Sequence, residues 1–207
     1  MKLSRMFQTA LGSTRRPNQG LRARGFSLVE AMVVATIAVV MTAIAVPTVN
    51  QGLRTYRLSF ACSDVANLIQ RTRYEAIKKN TTVSLRTTTQ AGNSVVYIDL
   101  NDNKTWDATE PVVVLPQDTP LLTAGVAPGP SSMGGGYANA QVPTAITPIT
   151  FDSRGTVSFG GGAATVYVFY LGRTSNAATD GYKAVTVTPI GKTKIWSTRG
   201  TNSWYTY

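Results

Sequence analysis

Between Phe26 and Val49 the chain runs for 24 residues with a single charge, Glu30. A helix rising about 1.5 Å per residue needs roughly 20 apolar residues to cross the hydrocarbon core of a bilayer, so this run is long enough to span. A carboxylate inside such a run is expensive, which makes Glu30 a candidate functional residue whose partner has to be found. Directly before the run stands Arg22-Ala23-Arg24-Gly25, a basic segment that ends in glycine.

The chain has 207 residues, room for one membrane helix and one further domain of ordinary size. Its formal charge of +10 suggests a nucleic-acid partner, but the distribution argues otherwise. Residues 1–25 carry six bases (Lys2, Arg5, Arg15, Arg16, Arg22, Arg24) and no acid, while the remainder carries 14 bases against 10 acids. Much of the basicity is thus a topology signal that holds the leading segment on the cytoplasmic side. With one cysteine, Cys62, and no histidine, an intramolecular disulfide, a Cys–His nucleophile, a Ser–His triad and a histidine-ligated zinc site are all excluded. Cys62 reads as a small packed apolar residue.

Residues 1–25 read as a targeting segment. Unlike a standard secretory signal, its basic part abuts the apolar run and no small-x-small site follows the run. The candidate cut therefore lies before it. From Phe26 to about Lys79 the pattern is one long helix: a membrane span over 26–49 and an amphipathic continuation over 50–80. Pro47 is expected to kink it, because proline removes a backbone donor and crowds the preceding turn. After Pro47, Leu58, Cys62, Val65, Ala66, Leu68, Ile69, Thr72 and Ala76 recur at helical spacing as one apolar stripe. Glu75 is placed to pair with Arg71 or Lys79. Lys78-Lys79-Asn80 suits a helix C-terminus.

From Thr81 the pattern is β, over 81–207. Strands are expected at Thr82–Thr89 and Ser94–Leu100 around a Gln90-Ala91-Gly92-Asn93 turn, then at Pro111–Leu115 and Leu121–Ala124. Residues 125–148, rich in glycine and proline, read as a long flexible loop. Further strands are expected at Ile149–Asp152, Val157–Phe159, Ala164–Leu171, Ala184–Thr188 and Thr193–Ser197. A long helix packed on an antiparallel sheet or sandwich is an α+β arrangement.

Arg24-Gly25-Phe26-Ser27-Leu28-Val29-Glu30, followed by a long apolar helix with an internal proline, resembles the class III signal of type IV pilins and type II secretion pseudopilins. Gly25 precedes the cut, Phe26 follows it, and Glu30 becomes the fifth residue of the mature chain. Further along, Arg73-Tyr74-Glu75-Ala76-Ile77-Lys78-Lys79-Asn80, then Val96–Asn103 with Asp107 and Glu110, then Phe151-Asp152-Ser153-Arg154-Gly155, is similar to the GspH/FimT group of minor pseudopilins. The 125–148 insertion departs from that group.

The resemblance implies a structural subunit rather than an enzyme, with a pilin-like fold and no cofactor. It implies that prepilin peptidase cuts between Gly25 and Phe26 and methylates the new amine of Phe26. It further implies a single-pass protein of the bacterial inner membrane with its C-terminal domain in the periplasm. That subunit then joins other pilins or pseudopilins in a helical fibre, either a type IV pilus or a type II secretion pseudopilus. Gly25 suits a protease site because no side chain obstructs the backbone. In a fibre the Glu30 carboxylate can pair with the cationic N-terminus of a neighbour. Leaving it unpaired there is costly, so the pair would fix axial register. The competing reading is that Glu30 snorkels to the interface.

Three other patterns carry chemistry. Asp99, Asn101, Asn103, Asp107 and Glu110 stand at positions 1, 3, 5, 9 and 12 of an EF-hand-like spacing, a possible calcium loop. Against it, Lys104 occupies the position that needs glycine, and a strand follows where a helix is required. Lys192, Lys194 and Arg199 interleave with Trp196, Trp204, Tyr205 and Tyr207, a pattern that can bind single-stranded nucleic acid. Some members of the FimT-like group are DNA receptors in natural transformation, so DNA is an alternative partner. The plainer reading is a final strand with an exposed tail. A signal-anchored periplasmic enzyme using Asp152 with Arg154, or Asp99 with Glu110, is the remotest alternative.

Overall fold

The computed structural model describes residues 25–144, 146–158, 165–198 and 203–206, apart from the side chains of Ser158 and Asn176. The leader before Gly25, Arg199 and Tyr207 lie outside the described residues. By its contacts the chain divides into two units, Met1–Ala43 and Ile44–Tyr207. One helix, α1 (Leu28–Lys79), belongs to both, with Pro47 inside it.

In the first unit, residues 25–43 are exposed throughout, α1 beginning at Leu28. In the second, α1 buries Leu58, Ala61, Cys62, Val65, Leu68, Ile69, Thr72 and Ala76, the stripe expected from its three- and four-residue spacing with Ala61 added. Ala66 is only partly buried at its margin. Each buried leucine or isoleucine contributes about 1.5–3 kcal/mol of transfer free energy. The helix stops at Asn80, whose φ of 50° is the left-handed conformation a short amide side chain tolerates. Glu75 makes no ion pair with Arg71 or Lys79. The helix cations that do pair are Arg54, with Asp180 at 2.9 Å, and Arg57, with Asp118 at 3.0 Å.

Among the described residues the strands are β1 (Val83–Gln90), β2 (Asn93–Asp99), β3 (Val112–Leu115), β4 (Leu121–Leu122), β5 (Ile149–Phe151), β6 (Val157–Ser158), β7 (Tyr167–Gly172), β8 (Tyr182–Val187) and β9 (Thr193–Ser197). A short helix, α2 (Ala177–Asp180), lies between β7 and β8. The strands form two antiparallel sheets, one in the order β3-β2-β1-β5-β6 and one in the order β4-β7-β8-β9. The β1–β2 turn is the one expected, with Ala91 (φ 48°) and Gly92 (φ 80°) both left-handed as a two-residue type I′ hairpin demands. The main core joins the α1 stripe to Val83, Leu85, Val96 and Ile98 of one sheet and to Tyr167, Phe169, Leu171, Val185 and Val187 of the other. Burial pushes the Cys62 thiol up to about 12, against a weaker opposing pull from Lys183, which makes it an inert packing residue.

Two expectations are corrected here. Every residue of β7 is buried, so a second layer must cover the face turned away from α1. That layer is the 125–148 segment. Instead of a loop without packing, it holds 3-10 turns at Pro130–Met133 and Gly135–Tyr137, and packs Ala127, Met133, Tyr137, Ala140 and Val142 against Val168, Tyr170, Ala184 and Trp196. The tail is not wholly exposed either. Trp204 is buried in the same cluster, its Nε1–H donates to Pro128 O at 3.0 Å, and Tyr205 exchanges backbone hydrogen bonds with Ser197. The glycines and prolines follow the contour of a sheet face, and a few large side chains hold them there.

Candidate functional site

The stem is organised from its first turn. Ala31 N–H donates to Ser27 O at 3.0 Å, and Glu30 stands in this turn, where a negative charge complements the positive helix pole. Phe26 is 78% exposed, and no residue from Gly25 to Leu53 is buried. By length and composition α1 is apolar enough to cross a membrane. Its hydroxyls do not interrupt that surface. Thr36 donates to Met32 O at 2.8 Å and Thr42 to Ala38 O at 2.7 Å, and further along Thr48 donates to Ile44 O at 3.3 Å. A donor satisfied inside its own helix costs far less in apolar surroundings than a free one. Glu30 is the one charge in the run.

The acidic loop after β2 is closed by its own chain. Asp99 is fully buried and its Oδ2 accepts from Arg86 Nε at 2.6 Å and from Lys104 N–H at 3.1 Å. Glu110 accepts the N–H groups of Leu100 and Asp107, one on each carboxylate oxygen. Asp107 accepts from the side-chain amides of Asn101 and Asn103, both at 2.8 Å. The side chains of this loop are thus bonded to one another and to its backbone, and among the described residues no group of three His, Cys, Asp or Glu is placed to hold a metal ion. Arg86 brings a positive charge to this loop from the neighbouring strand β1. Burial alone would lower the pKa of Arg86, but its hydrogen bonds to Asp99 and Asp102 outweigh that and hold it above the ordinary value. Arg86 is not among the residues that the sequence singles out. Its signal is a lone cation inside a β-alternating stretch that pairs beside an acidic turn.

The basic C-terminal pattern is only partly assembled. Lys192 and Lys194 are exposed, with the Lys194 ammonium 5.8 Å from the centroid of the Trp196 ring. Trp196 is itself buried, donates to Thr186 Oγ1 at 2.9 Å and meets Tyr137 edge-on. Trp204 stacks on Tyr170 with ring centroids 5.7 Å apart. Both indoles are thus committed to the second core and offer no face for stacking a base. The carboxylates weighed for catalysis are committed too. Asp152 accepts the Thr156 hydroxyl at 2.7 Å and the N–H groups of Arg154 and Thr156, both at 2.9 Å. The Thr156 hydroxyl is the largest cause that lowers its pKa; desolvation opposes it, and the two backbone N–H groups and the Arg154 charge add to the lowering.

An apolar, outward-facing stem continuous with the core helix of a two-sheet domain defines a structural class of protein. Residues 61–191 match the family described as type II transport protein GspH, and the chain belongs to that family of pilin-like proteins, which are structural rather than catalytic. The family implies assembly with other pilins or pseudopilins. The match begins inside α1, so Gly25, Phe26 and Glu30 lie upstream of it. Among solved structures, the chain is similar to the type IV minor pilin FimU of Pseudomonas aeruginosa in two crystal forms. One has 14% identity and a TM-score of 0.47, covering 70% of this chain and 95% of that one. The other has 13% identity and a TM-score of 0.45, covering 70% and 99%. Among curated proteins there is no match.

Proposed function

We propose that this chain is a minor subunit of a type IV pilus or a type II secretion pseudopilus. The reading is carried by the exposed apolar run from Phe26 to Val49 with its lone carboxylate, in a chain that belongs to the GspH family. Prepilin peptidase cuts between Gly25 and Phe26 and methylates the Phe26 amine. Before assembly the run holds the subunit in the inner membrane with residues 81–207 in the periplasm. Pro47, which lacks a backbone donor, kinks the stem. On assembly the stem leaves lipid for the fibre core, and Glu30 pairs with the cationic N-terminus of a neighbouring subunit.

The experiment is co-expression with a prepilin peptidase, followed by mass spectrometry of the mature N-terminus and fractionation of sheared fibres. A chain starting at N-methylated Phe26 supports the reading, and any other start refutes it. Glu30→Ala is expected to be processed normally yet lost from fibres. Normal incorporation of that variant would remove the Glu30 pairing from the proposal.

A further inference from the structure

The register of the first hairpin leaves a strand edge open. A two-residue hairpin closes on a pair that exchanges both backbone hydrogen bonds, here Gln90 with Asn93. Counting back by twos, Thr88 and Arg86 also turn their main-chain groups toward β2, while Thr89 and Thr87 turn theirs to the other side. On that side β5 pairs only with Val83, Ser84 and Leu85. The chain before β5 does not continue the pairing. Pro148 has no N–H to give, and Thr144 and Thr147 close a turn, Thr144 N–H to Thr147 O at 3.2 Å and hydroxyl to hydroxyl at 2.7 Å. Among the described residues nothing pairs with the outward main chain of Thr87 or Thr89.

This edge is one wall of a groove of about 680 Å³. The opposite wall is Leu121 and Leu122 of β4, itself an edge strand of the other sheet, with Gln141 beside it. Ser94 Oγ, accepting from Leu121 N–H at 3.2 Å, ties the two walls together. No described residue lining the groove is charged. Arg86, the nearest cation on β1, is drawn away into its ion pairs with Asp99 and Asp102. Open edges are normally guarded by charge or proline, and this one presents only threonines.

We propose that this groove receives an extended, uncharged segment of a partner protein, which adds as a strand along β1 at Thr87 and Thr89. Two outward-facing residues spaced by two strand positions, about 7 Å, repeat at the spacing of another strand. The absence of charge on the walls disfavours phosphate-bearing or acidic ligands and favours a polypeptide with small or apolar side chains.

The test titrates the full-length chain in detergent micelles with a capped Thr-Val-Thr-Val-Thr peptide, followed by amide resonances. Saturable shifts at Thr87, Thr89, Leu121 and Leu122 are expected. They should be absent for a peptide with a central proline and for one N-methylated at the residues facing β1. Thr89→Pro removes an outward donor and no β1–β2 ladder donor, so it should weaken binding about tenfold. The modified peptides on the unaltered chain carry the same test if that variant misfolds. No shift at roughly millimolar peptide, equal shifts with the proline peptide, or shifts centred on another edge would overturn the proposal.

Discussion

Replacing Arg86 by methionine should damage the domain severely, because it leaves the buried Asp99 without its counter-charge. The guanidinium side chain is 8% exposed and the Asp99 side chain is fully buried, with 2.6 Å between Nε and Oδ2. Without Arg86, Asp99 keeps one donor, the Lys104 amide. Removing one partner of a buried pair costs about 3–5 kcal/mol, because the remaining charge is left uncompensated. The second contact of Arg86, to Asp102, adds little, since that carboxylate is 77% exposed. A domain of this size loses about 2–4 °C in Tm per kcal/mol, so Arg86→Met should lower Tm by roughly 6–20 °C. The fluorescence of Trp196 and Trp204, both buried, follows the unfolding in urea or on heating. The discriminating protein is the double variant Arg86→Met, Asp99→Leu. Buried pairs replaced whole by apolar residues are often neutral, so the double variant should recover most of the loss. A loss below about 1 kcal/mol for Arg86→Met, or losses that simply add in the double variant, would refute the view that Arg86 is the counter-charge of the loop.

Two further outcomes test the packing. Tyr170 lies in the second core with no protein partner for its hydroxyl, so Tyr170→Phe should stabilise the chain by about 1 kcal/mol in urea unfolding. Burial pushes that phenol up to about 12. Its contribution is therefore complete below the ordinary tyrosine value near 10 and is lost as pH rises through about 12, and the phenylalanine variant should flatten this alkaline limb. Asp152 has a lowered pKa, so its contribution is present above the unfolded value near 3.9 and disappears as pH falls through the folded one. Asp152→Asn should be less stable than the parent at neutral pH and should converge with it in acid. A constant gap across the acid range would mean that the carboxylate charge is not what holds the Asp152–Thr156 turn.

The elements read well from the sequence wherever a local period carries the information. The α1 stripe, its end at Asn80 and the Gln90–Asn93 turn all follow from spacing and from φ preferences of one or two residues. Tyr182 and Lys183 escape a reading by pattern as the start of β8, because the strand begins beside Gly181, where the apolar alternation is interrupted. The 125–148 segment misleads for a different reason: its contacts are with Trp196 and Trp204, tens of residues away, and no local pattern encodes them. The same holds for the acidic loop. Its spacing fits an ion site, but the cation that closes it sits 13 residues upstream on a neighbouring strand. The stem is legible from composition, in the apolar run from Phe26 to Val49. The groove, by contrast, comes from register, since only the pairing of Gln90 with Asn93 decides which threonines face outward.

Trp204 joins segments that lie far apart along the chain. Its indole closes the second core against Tyr170 and Pro128, completing the cover that the 125–148 segment lays over the outer face of the β4–β7–β8–β9 sheet. A variant without the Trp204 indole would keep the described strands and the Tyr137 cover over Trp196, yet would lay Tyr170 open along one side.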